Sequence, residues 1–171
     1  MLDLPTRRRI LDFVGEHPGS SARSVQRGLR LGWGETAYHL DQMLRGGILQ
    51  RERGGRRDYY FPATMAPVDR QLLLCMQSAV ERAILVELAR TPGQTFRDLV
   101  SRLGAGKSTV AFHLKFLVAL GVVDVEMLGA LRRYQVRHPD QVVRLYGSYR
   151  DSFEDRWVDR FTSTWGGLVR E

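Results

Sequence analysis

Lys107-Ser108-Thr109-Val110-Ala111-Phe112-His113-Leu114-Lys115-Phe116-Leu117, followed closely by Gly121-Val122-Val123, is the stretch that decides the fold. Read as a helix, it puts Val110, Leu114, Leu117 and Val118 on one face at steps of three and four. Ser108 stands where an N-cap is expected, and Gly121 where a left-handed C-cap is wanted. Val122, Val123 and Val125 then read as a strand. A glycine-bearing turn, Leu128-Gly129-Ala130, leads into Arg132-Arg133-Tyr134-Gln135-Val136, so a hairpin follows the helix. Upstream, Ile84, Leu85, Leu88 and Ala89 mark a helix that Pro92-Gly93 stops. Thr95, with Asp98 three residues on, has the spacing of a capping box opening a short helix whose inner face is Leu99, Val100 and Leu103. Gly104-Ala105-Gly106 is the turn between that helix and the deciding one.

The same pattern occurs once before. Residues 8–60 align with 82–134 at a constant offset of 74 without insertion or deletion. The identities include Ile10/Ile84, Leu11/Leu85, Pro18/Pro92, Gly19/Gly93, Leu29/Leu103, Ala37/Ala111, His39/His113, Gly47/Gly121, Gly55/Gly129 and Tyr60/Tyr134. A fixed register over this length reads as a tandem duplication of one unit: three helices and a hairpin. In the first copy the hairpin runs from Ile48-Leu49 through the tip Arg53-Gly54-Gly55-Arg56-Arg57 to Asp58-Tyr59-Tyr60-Phe61.

Lys107 to Leu117 with Gly121-Val122-Val123 resembles the recognition helix and first wing strand of winged helix-turn-helix regulators of the ArsR/MarR kind. Glu35-Thr36-Ala37-Tyr38-His39-Leu40-Asp41-Gln42-Met43-Leu44 with Gly47-Ile48-Leu49 is a weaker second instance. Together they resemble the paired winged-helix regulators common in archaea, over residues 7–137. The resemblance implies a mainly α fold with small β-wings: two winged helix-turn-helix modules joined by a long linker helix, plus a long C-terminal helix. It implies double-stranded DNA as partner and transcriptional regulation as function. Because winged helices also dock proteins, a protein-interaction or chromatin-architectural module with nonspecific DNA contact is the alternative.

The expected divisions are a first winged-helix domain at 1–62, a linker and helix extension at 63–80, a second winged-helix domain at 81–138 and an amphipathic helix at 139–171. Val68 to Arg90 holds neither Gly nor Pro, so one helix is expected to run from the linker straight into the second copy and to fix the modules relative to one another. After His138-Pro139, a single helix to Leu168 carries Val142, Tyr146, Tyr149, Phe153, Trp157, Phe161, Trp165 and Leu168 at steps of three and four. This aromatic stripe calls for cover, either from the chain's own linker helix or from a second subunit. On that basis Tyr149, Phe153, Trp157, Phe161 and Trp165 are candidate dimerisation residues of a homodimer.

Charge agrees with a polyanionic partner. Lys plus Arg number 26 against 19 Asp plus Glu in 171 residues, a net +7. Residues 1–62 carry 11 basic and 7 acidic side chains and 81–139 carry 9 and 5, so the excess sits equally in the two copies. Only Lys107 and Lys115 are lysines; the arginine preference suits bidentate contacts to phosphate and guanine. A chain 43% hydrophobic and 26% charged is neither disordered nor collagen-like. No apolar run approaches a membrane span and the charged start at Met1 to Arg9 is unlike a signal peptide, so no membrane association and a cytoplasmic location are expected. The lone Cys75 excludes an internal disulfide and a cysteine metal cluster.

In the second copy the candidate DNA-binding residues are Lys107, Ser108, Thr109, Ala111, Phe112 and Lys115 on the outward face of the third helix. Lysines supply charge, hydroxyls hydrogen bonds, and Ala111 or Phe112 contact with a thymine methyl. Arg132 and Arg133 are candidate wing contacts. In the first copy the candidates are Trp33, Glu35 and Tyr38 on the helix, with Arg53, Arg56 and Arg57 on the wing. Glu35 and Asp41 put carboxylates near phosphate, although Glu35 can accept from a cytosine amino group. Gly104-Ala105-Gly106-Lys107-Ser108-Thr109 imitates a P-loop end, but Ser101 stands where that motif needs glycine and a helix precedes it. His17, His39, His113 and His138 show no zinc spacing, so no metal or other cofactor is expected; His39 and His113 read as packed residues or as bonded to neighbouring backbone. No Ser, His and Asp form a catalytic set, and an enzyme is not expected.

Overall fold

In a computed structural model, the backbone of residues 5–165 and the side chains of residues 5–153 are described. The chain divides into two compact units, Met1–Leu74 and Cys75–Glu171. The first contains α1 (Pro5–Glu16), α2 (Ala22–Leu29), α3 (Trp33–Arg45), β1 (Leu49–Gly54) and β2 (Arg57–Pro62), and α4 (Pro67–Cys75) ends it. The second contains α5 (Ala79–Arg90), β3 (Gln94–Thr95), α6 (Phe96–Leu103), α7 (Lys107–Ala119), β4 (Val123–Leu128), β5 (Leu131–Val136) and α8 (Pro139–Trp165). Adding 74 to the bounds of α1, α2, α3, β1 and β2 gives those of α5, α6, α7, β4 and β5.

The cores follow the same rule. Ile10, Val14, Val25, Leu40, Met43 and Leu49 are buried in the first unit. Their counterparts Ile84, Leu88, Leu99, Leu114, Leu117 and Val123 are buried in the second. Each set joins three helices to the base of a hairpin, the arrangement that buries one apolar face of every element. Both hairpins turn on two residues with glycine first, Gly55 at φ +62° and Gly129 at φ +62°. Glycine alone adopts that angle without steric penalty, and a positive first turn residue matches the twist of paired strands.

One element was not anticipated from the sequence. Gln94 and Thr95 pair with Tyr134 and Arg133, making the order β3-β5-β4. The first unit keeps a reduced form, a bridge between Ser20 and Tyr60. Two residues carry too little alternation for a period-two pattern to register.

Three expectations are corrected. No single helix runs from Val68 to Arg90: α4 stops at Cys75, and Ser78, extended at φ −84° and ψ 125°, caps α5 by accepting from the Glu81 amide. The Ser78-x-x-Glu81 spacing is a helix-start signal lying inside an unbroken apolar pattern. Ser108 does not cap α7, whose N-cap is the extended Gly106, two residues earlier, so the helix starts at Lys107. The long C-terminal helix is interrupted at Tyr149, whose φ −123° and ψ 15° are not helical; Gly147-Ser148 immediately before it is a pair of the kind at which helices kink. The Thr95 and Asp98 capping box, by contrast, is formed reciprocally.

Substitutions between the copies are matched. In the first unit a Cβ on Gly28 would lie 2.4 Å from the Phe13 ring, so α1 and α2 meet there by close packing. At the corresponding positions of the second unit, Arg102 donates to Glu87 at 3.0 Å. A ring over a glycine in one copy is an ion pair in the other, and both hold the first helix to the second.

Candidate nucleic-acid interface

Helix α7 presents its polar face outward because its apolar face is used. Val110, Leu114 and Leu117 are buried, leaving Lys107, Ser108, Thr109, Ala111, Phe112 and Lys115 exposed together. Phe112 is 70% exposed, and Phe116 and Leu120, which the sequence reading did not single out, continue an apolar strip along the same helix. Phe116 and Leu120 were missed because an inward assignment is the default for a large apolar residue in an amphipathic helix.

His113 is held by a side chain, not by neighbouring backbone. Its Nδ1 shares a 2.9 Å hydrogen bond with Glu81 Oε1, joining α7 to the first turn of α5. Burial pushes the Glu81 carboxyl above its ordinary range, and the bond to His113 partly opposes this. In the first unit the equivalent positions are Arg7 and His39, both buried. Among the described residues, no group of three or more His, Cys, Asp and Glu could hold a metal ion. Cys75 is buried and its thiol is pushed up to about 12, chiefly by loss of hydration.

Helix α3 exposes Trp33 and Tyr38 and buries Thr36, His39, Leu40 and Met43. Glu35 is exposed, and Thr6 Oγ1 donates to it at 3.5 Å. Asp41, suspected of repelling phosphate, is paired with Arg45 one turn on at 2.9 Å. On the wing, Arg53, Arg56 and Arg57 are all exposed. Asp58, half-buried, lies 3.6 Å from Arg51 and 4.0 Å from Arg53, loose contacts that leave both exposed arginines able to turn to another anion.

The second wing is different. Arg132 is exposed, but Arg133 is half-buried and donates to the Gly93 carbonyl at 3.4 Å. It braces the edge strand, so it is less available than the sequence suggested. The tip is apolar, with Val125, Met127, Leu128 and Leu131 all exposed.

Residues 5–73 match a family model described as an N-terminal HTH domain, and residues 68–124 match one described as a winged helix-turn-helix DNA-binding domain. The two matches fall on the two sets of helices. The chain is 27% identical over 118 residues to the uncharacterised HTH-type transcriptional regulator MJ1398 of Methanocaldococcus jannaschii, covering 69% of this chain and 30% of that protein. The chain thus spans less than a third of that relative's length. A solved structure, the DIP2311 protein of Corynebacterium diphtheriae, aligns over 77% of this chain and 26% of its own with 16% identity and a TM-score of 0.30. Among the described residues no helix is long and apolar enough to cross a membrane.

Proposed function

We propose that the chain is a cytoplasmic, sequence-specific, double-stranded DNA-binding transcriptional regulator of the ArsR/MarR-like kind. It would use two winged-helix modules per chain, α3 with the β1-β2 wing and α7 with the β4-β5 wing. The observation that carries the reading is the segregation of α7: Val110, Leu114 and Leu117 anchor it inside while Lys107, Ser108 and Thr109 stand outside in its first turn, with Lys115 exposed two turns on. That first turn is the part of a recognition helix which reaches base edges in the major groove. The exposed arginines of the first wing would add phosphate contacts that position the chain without reading sequence.

Binding to duplex DNA across salt concentrations tests this. The affinity is expected to fall with a log-log slope of about −0.9 for each phosphate neutralised. Lys107→Ala with Thr109→Ala is expected to relax sequence preference, whereas Arg53→Ala, Arg56→Ala and Arg57→Ala together are expected to weaken all duplexes alike and flatten the slope by two to three units, or about 0.9 per arginine. Affinity that is absent or indifferent to salt would refute the reading. It would favour the protein-docking alternative, which the exposed strip of Phe112, Phe116 and Leu120 supports.

A further inference from the structure

We propose that the wing of the second unit is an apolar wedge that enters the DNA minor groove and kinks the duplex, a role distinct from that of the arginine wing of the first unit. The inference rests on the DNA-binding reading above. Its basis is a comparison the molecule makes with itself. At the offset of 74, Arg51, Arg53, Arg56 and Arg57 of the first wing correspond to Val125, Met127, Ala130 and Leu131 of the second. Strand lengths, turn and register are the same in both hairpins, Gly54 pairing with Arg57 and Leu128 with Leu131. One scaffold therefore carries four arginines in one copy and four apolar residues in the other.

The apolar set is at the tip, not in the core. Met127 is 58% exposed, Leu128 57% and Leu131 54%. The third strand reaches only as far as the pairs Gln94↔Tyr134 and Thr95↔Arg133. Beyond it the pairs Met127↔Arg132 and Leu128↔Leu131 continue as a bare two-stranded ribbon closed by Gly129-Ala130. Such a tip is narrow and convex. A stable protein interface needs about 800 Å² per partner, more than the end of one ribbon offers. A wedge needs only one or two side chains pushed between base steps, and Met and Leu are among the residues that do this.

The surroundings favour DNA as the occupant. Arg132 is exposed and lies across from Met127 on the same face of the ribbon, where it would meet a phosphate flanking the groove. Glu126 lies on the opposite face, the one that carries Leu128 and Leu131, where it stands across from Arg133, so the pair leaves that face without an unopposed negative charge. The wing follows α7 directly through Gly121-Val122, so a chain that lays α7 in the major groove brings this ribbon to the adjacent minor groove. Flexible pyrimidine–purine steps there would yield most easily, giving preference at a position that no side chain reads by hydrogen bonding.

The test uses the full chain and a duplex of about 30 base pairs carrying a fluorescent donor and acceptor at its ends, a length well below the duplex persistence length. Wild type is expected to shorten the end-to-end distance on binding. Met127→Ser with Leu131→Ser is expected to lose the shortening and to bind about tenfold more weakly. Met127→Arg with Leu131→Arg, which installs residues the first wing already carries at these positions, is expected to bind at least as tightly, with a salt slope steeper by about two units, and to leave the duplex straight. Wild type that binds without shortening, or all three proteins shortening the duplex equally, would overturn the wedge while leaving the DNA-binding reading intact. No duplex binding by any of them would defeat both. Light scattering in which the serine variant alone drops from a multimer to a monomer would assign the tip to a protein interface and overturn the wedge.

Discussion

Arg30 ends α2 with φ 54° and ψ 42°, a left-handed conformation in which an L side chain crowds the following carbonyl. Gly104 ends α6 at the equivalent position with φ 61°, where no side chain resists. The left-handed geometry costs a residue with a Cβ about 1–2 kcal/mol, and glycine returns part of that gain through its freer unfolded state. Arg30→Gly is therefore expected to raise stability by about 0.5–1 kcal/mol, read as a higher urea midpoint with an unchanged slope. An unchanged or lower midpoint would show that the strain is offset by contacts of the exposed arginine. At this scale the sequence was legible wherever the chemistry is local. Thr95 and Asp98 form their reciprocal cap because only three residues separate them. Ser108 misled because Gly106 is also acceptable as an N-cap, and the carbonyl that starts the ladder, Gly106 O to Val110 N at 3.0 Å, is set by where Val110 must be buried.

Elements were legible through their periodicity and missed at their seams. The bounds of five elements repeat between the copies because the apolar positions do, and a constant offset with no gap can be read from letters alone. The break between α4 and α5 was hidden because apolar residues continue through it, so periodicity had no interruption to report. The tie between α5 and α7 was hidden for another reason. Glu81 and His113 are 32 positions apart, and no local rule brings them together. That tie makes a pH prediction. Burial raises the Glu81 carboxyl above its ordinary 4.5, so the folded state holds the proton more tightly than the unfolded state. The contribution of Glu81 to stability is then fully present below about pH 4.5 and is lost as pH rises through the folded value. Glu81→Gln keeps a hydrogen-bonding side chain and removes the titration. Denaturant midpoints measured from pH 4 to 7 are expected to show the variant gaining on wild type as pH rises. Asp98 and Asp124, held below their ordinary values by hydrogen bonds from Thr95 and Arg137, act in the opposite sense at lower pH and are common to both proteins. A gap independent of pH would mean that Glu81 does not titrate differently on folding.

At the scale of the whole molecule, the different chemistry of the two wings was present in the aligned sequences. It is not legible there because apolar residues in a strand read as core, and only exposure reveals that those of the second wing are not. The C-terminal segment shows the reverse. Its stripe read as one surface, yet Val142 and Phe153 are buried, and Leu145, which the stripe omitted, is buried too. Helix α8 packs along α5 within the second unit, and the Arg82 guanidinium stands 5.2 Å from the centre of the Phe153 ring. Phe153, expected at a subunit contact, is therefore a core residue of its own unit, and Tyr146 and Tyr149 are half-buried. The side chains of Trp157, Phe161 and Trp165 lie outside those described, and we propose that they carry the homodimer. Two deletions separate these roles. Removing 140–171 strips Val142, Leu145 and Phe153, each contributing about 1.5–3 kcal/mol by burial. Against a total of about 5–15 kcal/mol, that loss is expected to unfold the second unit and would say nothing about dimers. Removing 154–171 leaves those three in place. Light scattering is expected to give twice 19.6 kDa for the intact chain and a folded monomer after this shorter deletion, with an unchanged thermal midpoint at low concentration. A folded dimer after the deletion would place the interface elsewhere, and a monomeric intact chain at micromolar concentration would reject the homodimer.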